Sequence, residues 1–276
     1  MSEKHKVEFA VMFPVYNHAD FLDESLRSVL EQKYNDFVVV VSDDCSADNS
    51  VEIIRRFQKQ DSRIILLTSE KNLGANENMN KMLEYIRDNI DCKFITFTAG
   101  DDILYADALT VQKRLMNKHV NAGVMFSPSD VINNNGSYQL KKKIIGKPKV
   151  IHEKYHYDTL LKDGFMFSTN CSLIKKSALL SSCYSGRYAA DFNLFIDVVM
   201  STKCDILYSD RPLGVYRRHA GGITSNIHFR QLFIIPFVYY LSLIIKYPRY
   251  TLYSIKNMCA QYLFGGMHYI KNKMFR

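Results

Sequence analysis

The sequence lacks the glycine-rich signatures of two large classes of nucleotide-binding protein. No two of its 12 glycines are separated by a single residue, so the GxGxxG dinucleotide fingerprint is absent, and no GxxxxGK[ST] phosphate loop occurs. Neither a Rossmann dehydrogenase nor a P-loop NTPase is therefore supported. Because no glycine-rich cradle of backbone amides is present, a metal ion is the expected neutraliser of any bound diphosphate.

Paired cysteines, a signal peptide and a long apolar run are also missing. The six cysteines form no CxxC pair and have no close spacing to histidines, which argues against a zinc site. Residues 1–7 are polar and charged, so a reducing, cytoplasmic compartment with free thiols is expected. The uncharged segment 231–245 has 15 residues and contains Pro236, whereas a membrane-spanning helix needs about 20.

Acidic residues are absent from the end of the chain. None follows Asp210, whereas ten basic residues do, and the formal net charge of the whole chain is +8. Residues 226–276 mix seven of these basic residues with aromatic and aliphatic ones, which predicts a helical extension lying in an anionic membrane interface. The alternative is an extension packed on the core or on a second subunit. Nucleic-acid binding is not expected, because the basic residues stand among apolar runs.

The sequence does contain a regular alternation of apolar strands and amphipathic helices. Strands are predicted at 9–13, 37–41 and 64–67, and in an apolar run from Phe94 that stops at Gly100. Helices are predicted after Asp20, taken as the cap of the first, over 50–59, and around residues 79–86. Continuous apolar strands alternating with helices predict a parallel sheet covered on both faces and joined by right-handed crossovers.

Polar residues follow the predicted strands, so they should share one edge of that sheet. They are Tyr16 and Asn17, Asp43 and Asp44, Asn72, and the adjacent pair Asp101 and Asp102. In open α/β sheets, ligands bind beyond the carboxyl ends of the strands. We therefore expect the adjacent carboxylates to hold a divalent metal for a phosphate-bearing substrate.

A series of segments resembles the successive motifs of family-2 inverting glycosyltransferases of the GT-A fold. The segments are VEFAVMFPVYN, VVVVSDDCSADNS, KNLGANENMN, FITFTAGDDIL, FSTNCSLIKKSAL, YAADFNLFIDVVM and YSDRPLGVYRRHAGG. The resemblance covers roughly residues 7–225. It implies a GT-A (Rossmann-like) α/β domain, with a mixed, mainly parallel sheet and helices on both faces. That domain would span 1–225, with a nucleotide-sugar half at 1–105 and an acceptor half at 106–225, followed by the helical extension 226–276.

The resemblance also implies a set of donor-binding residues. Tyr16 would stack on the base, and Asp43 or Asp44 would bind base and ribose. The alternative is that Tyr16 is a core aromatic and that the two aspartates form a turn and a helix cap. The full implied set is Pro14, Tyr16, Asn17, Asp43, Asp44, Asn72, Gly74, Asp101, Arg217 and Arg218.

For the metal, the resemblance implies Mg²⁺ or Mn²⁺ held by Asp101 or Asp102, with His219 as a further ligand. Relatives usually have an Asp-x-Asp pattern, or an acid two residues before this pair of aspartates, and this chain has Ala99 at that position. The alternatives are that the aspartates cap the following helix and that His219 is an ordinary surface or core residue.

For catalysis, the resemblance implies that Asp191 is the base, although Ala190 stands where relatives often have Glu or Gly. Asp191 would take a proton from the acceptor hydroxyl in a single displacement. Ser168, Thr169 and Asn170 would line the acceptor cleft. The alternative is that Asp191 caps the helix that follows it.

Taken together, the implied function is inverting transfer of a sugar from a UDP or dTDP sugar to a hydroxyl of a glycan or lipid-linked saccharide, in cell-surface polysaccharide biosynthesis at the cytoplasmic face of the membrane. Two alternatives remain open. A sugar-nucleotide nucleotidyltransferase would want a Gly- and Arg-rich phosphate loop after the first strand, and a non-catalytic sugar-nucleotide or glycan-binding relative would not turn over. The absence of QxxRW disfavours a processive polysaccharide synthase.

Overall fold

A computed structural model describes residues 4–133, 138–139, 148–152, 169–179, 182–184, 190–222 and 241. Its strands are β1 (His5–Lys6), β2 (Phe9–Val15), β3 (Phe37–Asp43), β4 (Ile64–Thr68), β5 (Ile90–Asp91), β6 (Phe94–Phe97), β7 (Ile103–Leu104), β8 (Ala122–Phe126), β9 (Asp130–Ile132), β10 (Tyr138–Gln139), β11 (Lys149–Ile151), β12 (Leu173–Lys175), β13 (Asp205–Tyr208) and β14 (Gly214–Arg217). Its helices are α1 (Ala19–Leu30), α2 (Ser50–Gln60), α3 (Ala75–Asn89), α4 (Ala108–Lys118), α5 (Lys176–Leu179) and α6 (Ala190–Thr202).

The main sheet is mixed, and the half formed by the early strands of the chain is parallel. In the described part of the chain it has eight strands in the order β11-β13-β8-β12-β6-β2-β3-β4. Strands β6, β2, β3 and β4 pair in parallel, whereas β12 runs antiparallel between β6 and β8. The predicted mixed, mainly parallel sheet is therefore confirmed. A smaller sheet has the strand order β10-β9-β14-β7. His219 lies just beyond the end of its strand β14.

Alternate residues of the central strands face two separate apolar clusters. In β2, Ala10 and Met12 face one side of the sheet, and Phe9, Val11 and Phe13 face the other. Helices α3 and α6 cover the first side, and α1, α2 and α4 cover the second. A strand buried on both faces must be apolar at every position, which is why FAVMF and FVVVV are continuous rather than alternating.

Two details of the sequence prediction are wrong at element ends. Asp20 is not the cap of α1, because it lies inside the first turn, and the amide of Ala19 donates instead to Asp48 Oδ2 at 2.9 Å. The acceptor thus comes from another loop, which sequence spacing does not reveal. The strand from Phe94 ends at Phe97 rather than continuing to Gly100.

Other predictions concern the tail. No helix among the described residues is long and apolar enough to cross a membrane. The predicted extension 226–276 lies outside the described residues, apart from Leu241. Its role at a membrane, on the core or at a subunit contact stays a prediction, as do the boundaries of the domain and of its two halves.

Candidate functional site

The carboxyl ends of β2, β3 and β6 form one edge, and backbone hydrogen bonds join the loops that leave it. The amide of Asp44 donates to the carbonyl of Val15 at 2.9 Å, and the amide of Gly100 donates to the carbonyl of Pro14 at 3.0 Å. Pro14 itself lies within β2. The loops predicted to share an edge are therefore neighbours.

The loop after β2 is held by side chains from the loop after β3. Asn17 adopts a left-handed conformation, with φ 54°, which asparagine tolerates better than most residues. Its amide donates to Ser46 Oγ at 2.9 Å, and its side-chain oxygen accepts from the amide of Ala47 at 2.8 Å. Asn17, predicted to bind the sugar donor, thus joins the loop after β2 to the loop after β3 by two hydrogen bonds. Its neighbour Tyr16 is 46% exposed, which rules out a core aromatic.

The two aspartates at the end of β3, Asp43 and Asp44, have different hydrogen-bond partners. Asp44 accepts from the amides of Leu73 and Gly74, at 2.8 and 2.9 Å, and so holds the turn that starts α3. Gly74 has φ +85°, a conformation that favours glycine, and its amide also donates to Asn72 Oδ1 at 2.9 Å.

Only one of the two carboxylate oxygens of Asp43 has a hydrogen-bond partner among the described residues. Its Oδ2 accepts from the amide of Ser46 at 2.9 Å, but its buried Oδ1 has no hydrogen-bond partner among the described residues. A buried unpaired acceptor costs about 1–3 kcal/mol. An oxygen in this state is suited to a donor from a ligand.

The turn that carries Asp101 and Asp102 is positioned from helix α1. The buried hydroxyl of Ser25 donates to the carbonyls of Ala99 and Asp102, at 2.8 and 2.5 Å. Sequence reasoning missed Ser25, because a serine on the apolar face of a helix looks like a tolerated exception. Its two hydrogen bonds fix where the carboxylates stand.

The two carboxylates point in different directions. Asp102 is 4% exposed, and its Oδ1 accepts from the backbone amide of Arg217 at 3.0 Å. Burial, and then the neighbouring Asp101 carboxylate, raise the pKa of Asp102 well above its usual range. Asp102 therefore joins the turn to the end of β14, and Asp101 is the carboxylate turned toward the histidines.

Asp101, His219 and His18 form a cluster that could hold a metal ion. His219 Nε2 lies 2.9 Å from Asp101 Oδ2, and His18 Nε2 lies 3.9 Å from the same oxygen. One ligand atom from each residue lies within 4.8 Å of the others, and no further such cluster exists among the residues that the structure describes. Asp101 and His219, two of the three metal ligands predicted from the sequence, lie in this cluster; Asp102 does not, and its role as a ligand stays a prediction.

His18 was not among the sequence-predicted residues. Its place directly after Tyr16 and Asn17, in the loop leaving β2, was the available signal. Its ring lies over Gly100, where an added Cβ would stand 2.8 Å from His18 Nδ1, so a larger residue at position 100 would displace the imidazole. Burial lowers the pKa of His18 against the opposing effect of Asp101, which favours the neutral ring that binds metals.

The two arginines after β14 differ in their surroundings. Arg217 donates from Nε to the carbonyl of Asp101 at 2.9 Å and from Nη2 to Glu24 at 2.6 Å, and it stacks over Phe21. It therefore holds the metal-side turn against α1. Arg218 is exposed, and no side-chain hydrogen bond or ion pair of it is found within the described ranges. Of the two, Arg218 has the guanidinium available to a phosphate.

The acceptor-side residues adjoin the same edge. Thr169 Oγ1 donates to Asp191 Oδ2 at 2.5 Å, and Asn170 Nδ2 donates to the carbonyl of Val215 at 3.0 Å. Helix α6 begins at Ala190, so Asp191 lies in its first turn rather than at the cap. The helix dipole stabilises a carboxylate in the first turn. Ser168 lies outside the described residues.

Comparisons with known proteins agree with this arrangement. Residues 10–181 match the family model described as Glycosyl transferase family 2. The chain is 30% identical over 225 residues to UDP-Glc:alpha-D-GlcNAc-diphosphoundecaprenol beta-1,3-glucosyltransferase WfgD of Escherichia coli, covering 81% of each chain. It is 32% identical over 107 residues, 39% of this chain and 41% of the relative, to the putative teichuronic acid biosynthesis glycosyltransferase TuaG of Bacillus subtilis.

Solved structures share the fold. S. aureus TarS 1–349 in complex with UDP-GlcNAc superposes with a TM-score of 0.67 at 17% identity, over 86% of this chain and 66% of that chain. The mannosyltransferase PcManGT of Pyrobaculum calidifontis, in complex with GDP-Man and Mn²⁺, gives 0.63 at 15% identity, over 92% and 70%. With its family match, its sheet order and its convergent polar loops, this chain belongs to glycosyl transferase family 2 and has the GT-A fold.

Proposed function

We propose that the protein transfers a sugar from a UDP or dTDP sugar, with inversion, to a hydroxyl of a glycan or lipid-linked saccharide during cell-surface polysaccharide assembly. The observation that carries this proposal is the meeting, at one sheet edge, of an exposed aromatic ring, an unsatisfied buried carboxylate oxygen and a histidine–carboxylate cluster. The relative WfgD, whose name gives a UDP-glucose donor and a diphosphoundecaprenol-linked acceptor, supports the substrate classes.

For the donor, the exposed ring of Tyr16 offers a stacking face for a base. Asp43 Oδ1 can accept from a base N–H or a ribose hydroxyl, since the protein leaves that oxygen without a partner among its described residues. Asn17, Asp44, Asn72 and Gly74 act by holding these loops in place. Arg218 would contact the diphosphate.

For the metal, Asp101 and His219 are the proposed ligands among those named from the sequence. The residues fit a divalent ion, because a carboxylate oxygen and an imidazole nitrogen lie 2.9 Å apart in a cluster with a second imidazole. When bound, Mg²⁺ or Mn²⁺ would offset the negative charge of the leaving diphosphate. Asp102, buried on the Arg217 amide, would support the turn instead.

For the chemistry, Asp191 is the proposed base. Its carboxylate would take the proton of the acceptor hydroxyl, whose oxygen then attacks the anomeric carbon from the face opposite the departing nucleoside diphosphate. The hydroxyl of Thr169, 2.5 Å from Asp191 Oδ2, would orient the carboxylate. Asn170 would fix the adjoining backbone by its bond to Val215.

A thermal-shift screen of nucleotide sugars, with and without Mn²⁺, tests the proposal. A UDP or dTDP sugar should raise the melting temperature, because a ligand that binds only the folded state stabilises it by mass action. Free sugars and nucleoside monophosphates serve as controls.

Donors selected in this way are then mixed with lipid-linked saccharide acceptors. Release of nucleoside diphosphate, with an inverted anomeric signal in the product NMR spectrum, is the expected result. Tight donor binding without turnover on any acceptor would favour a non-catalytic relative, and release of pyrophosphate from a sugar phosphate and a nucleoside triphosphate would favour a nucleotidyltransferase.

A further inference from the structure

We infer that His18 is the third protein ligand of this metal site, which makes the site a two-histidine, one-carboxylate centre that prefers Mn²⁺ or Co²⁺ to Mg²⁺. The inference rests on the proposed function, because it concerns the metal of the same site. It goes further in naming a ligand from the donor-side loop after β2 and in predicting which metal the protein selects.

The distances suit a single ion. At metal–ligand bonds of about 2.1 Å, two ligands at right angles stand about 3 Å apart and two opposite ligands about 4.2 Å apart. Asp101 Oδ2 lies 2.9 Å from His219 Nε2 and 3.9 Å from His18 Nε2, and all three ligand atoms lie within 4.8 Å of one another. Small side-chain adjustments would therefore complete the site.

Each of the three ligands is held by its own contacts. The amide of His18 donates to Ser50 Oγ at 3.1 Å, and the ring lies over Gly100. The turn of Asp101 is fixed by Ser25. The ring of His219 packs on Phe21, with centroids 4.7 Å apart. Three separate segments, each fixed by its own contacts, thus bring ligands close to one point.

The ring of His18 lies against the turn that carries Asp101. Its Nδ1 would stand 2.8 Å from a Cβ added at Gly100, the residue before Asp101. The buried Nδ1 of His18 has no hydrogen-bond partner among the described residues, a cost that folded cores avoid and functional sites tolerate. Nε2, which lies 3.9 Å from Asp101 Oδ2, is the ring nitrogen that would reach an ion held by that carboxylate, and we assign the third coordination position to it.

Two imidazole ligands and one carboxylate should determine which metal the site prefers. Mg²⁺ prefers oxygen ligands and strict octahedral geometry, whereas imidazole nitrogen favours Mn²⁺ less than Co²⁺ and the later transition metals. Two imidazoles with one carboxylate should thus bind Co²⁺ most tightly, then Mn²⁺, and Mg²⁺ least. A site made of carboxylates alone would discriminate less.

The test measures metal binding directly, without donor or acceptor. Co²⁺ is titrated into the full-length protein by visible absorption, and Mn²⁺ by electron paramagnetic resonance with Mg²⁺ as competitor. His18→Gln should weaken Co²⁺ binding by at least about 10–100-fold and change the Co²⁺ spectrum, since even residues that only support metal ligands contribute that much. His18→Asp should shift the preference toward Mg²⁺.

Matched variants separate the possible results. His5→Gln removes an exposed histidine in β1 and should leave the Co²⁺ titration unchanged. Circular dichroism of the metal-free variants checks folding, and His18→Asn replaces His18→Gln if the latter unfolds. If a folded His18→Gln binds Co²⁺ like wild type while Asp101→Asn does not, this inference fails and the proposed function stands. If Asp101→Asn, His219→Gln and His18→Gln all bind Co²⁺ normally, the metal assignment within the proposed function fails as well.

Discussion

The two ends of strand β2 differ in how completely their charged and polar groups are paired within the protein. At its amino end, the carboxylate of Glu8 is 15% exposed and lies 2.5 Å from Lys113 Nζ, 4.0 Å from Lys93 Nζ, and in a hydrogen bond with the Tyr34 hydroxyl. Burial would raise the pKa of Glu8, but the bonds from Lys113 and Tyr34 outweigh it and lower that pKa.

At the carboxyl end of the same sheet, two carboxylates are adjacent and several buried polar atoms have no partner among the described residues. Asp101 and Asp102 are adjacent like charges, and the pKa of Asp102 is raised by burial and by Asp101. His18 Nδ1, Asp43 Oδ1 and Thr98 Oγ1 are buried without partners among the described residues. The difference is that the amino end pairs its charges within the protein, whereas the carboxyl end keeps buried polar atoms whose hydrogen bonds a ligand could supply.

The largest effect is expected at Asp191. Asp191→Asn should lower the rate of sugar transfer by about 10²–10⁴-fold, because general-base catalysis is lost, while donor affinity changes little. Asp197→Asn, on the same helix α6, is the control for the loss of an acid. Turnover is followed by release of nucleoside diphosphate, and donor affinity by calorimetry. Near wild-type turnover in Asp191→Asn would assign the base elsewhere.

Asp101→Asn should separate function from stability. Metal affinity should fall at least about tenfold, because a ligand is lost. The free energy of unfolding without metal should stay constant or rise by up to about 1 kcal/mol, since the repulsion with Asp102 disappears while the asparagine oxygen can still accept a hydrogen bond from His219 Nε2. Urea denaturation measures the second quantity, with Asp88→Asn, an exposed acid of α3, as control. A marked loss of stability would mean that the carboxyl edge is built for folding too.

Glu8→Gln should show the opposite pattern with a smaller effect. It should lower the free energy of unfolding by about 1–2 kcal/mol, because a charge-assisted hydrogen bond with Lys113 is lost, and leave Co²⁺ binding unchanged. The folded-state pKa of Glu8 lies below its ordinary value of 4.5, so its contribution is complete above pH 4.5 and is lost as the pH falls through the lower folded-state value.

The same variant therefore has a pH signature. The difference in unfolding free energy between wild type and Glu8→Gln should be constant from pH 7 to pH 5 and shrink below pH 4.5. Urea denaturation across that range measures it. A difference that does not change with pH would assign the effect of the substitution to packing.

Much of the fold follows from local patterns. Strands β2 and β3 are apolar at consecutive positions, and this feature by itself predicts a strand buried on both faces. The alternation with helices then predicts the parallel order, so Asp43 and Asp101 could be placed at one edge without coordinates. The cap of α1 could not be predicted, since Asp48 reaches it from the loop after β3.

The candidate site likewise has features that the sequence predicts and features that depend on tertiary contacts. The sequence by itself determined that acidic and aromatic residues meet beyond the strand ends. Its alternation of apolar strands and amphipathic helices predicts a parallel sheet, and the residues that follow parallel strands share one edge. Only the tertiary structure decided which carboxylate turns toward the histidines, that Arg217 is bound to Glu24, and that His18 stands beside Asp101. Those outcomes depend on hydrogen bonds between residues far apart in the chain, such as those of Ser25 to the turn at 99–102, and side-chain direction at a strand end is set by such contacts rather than by local sequence.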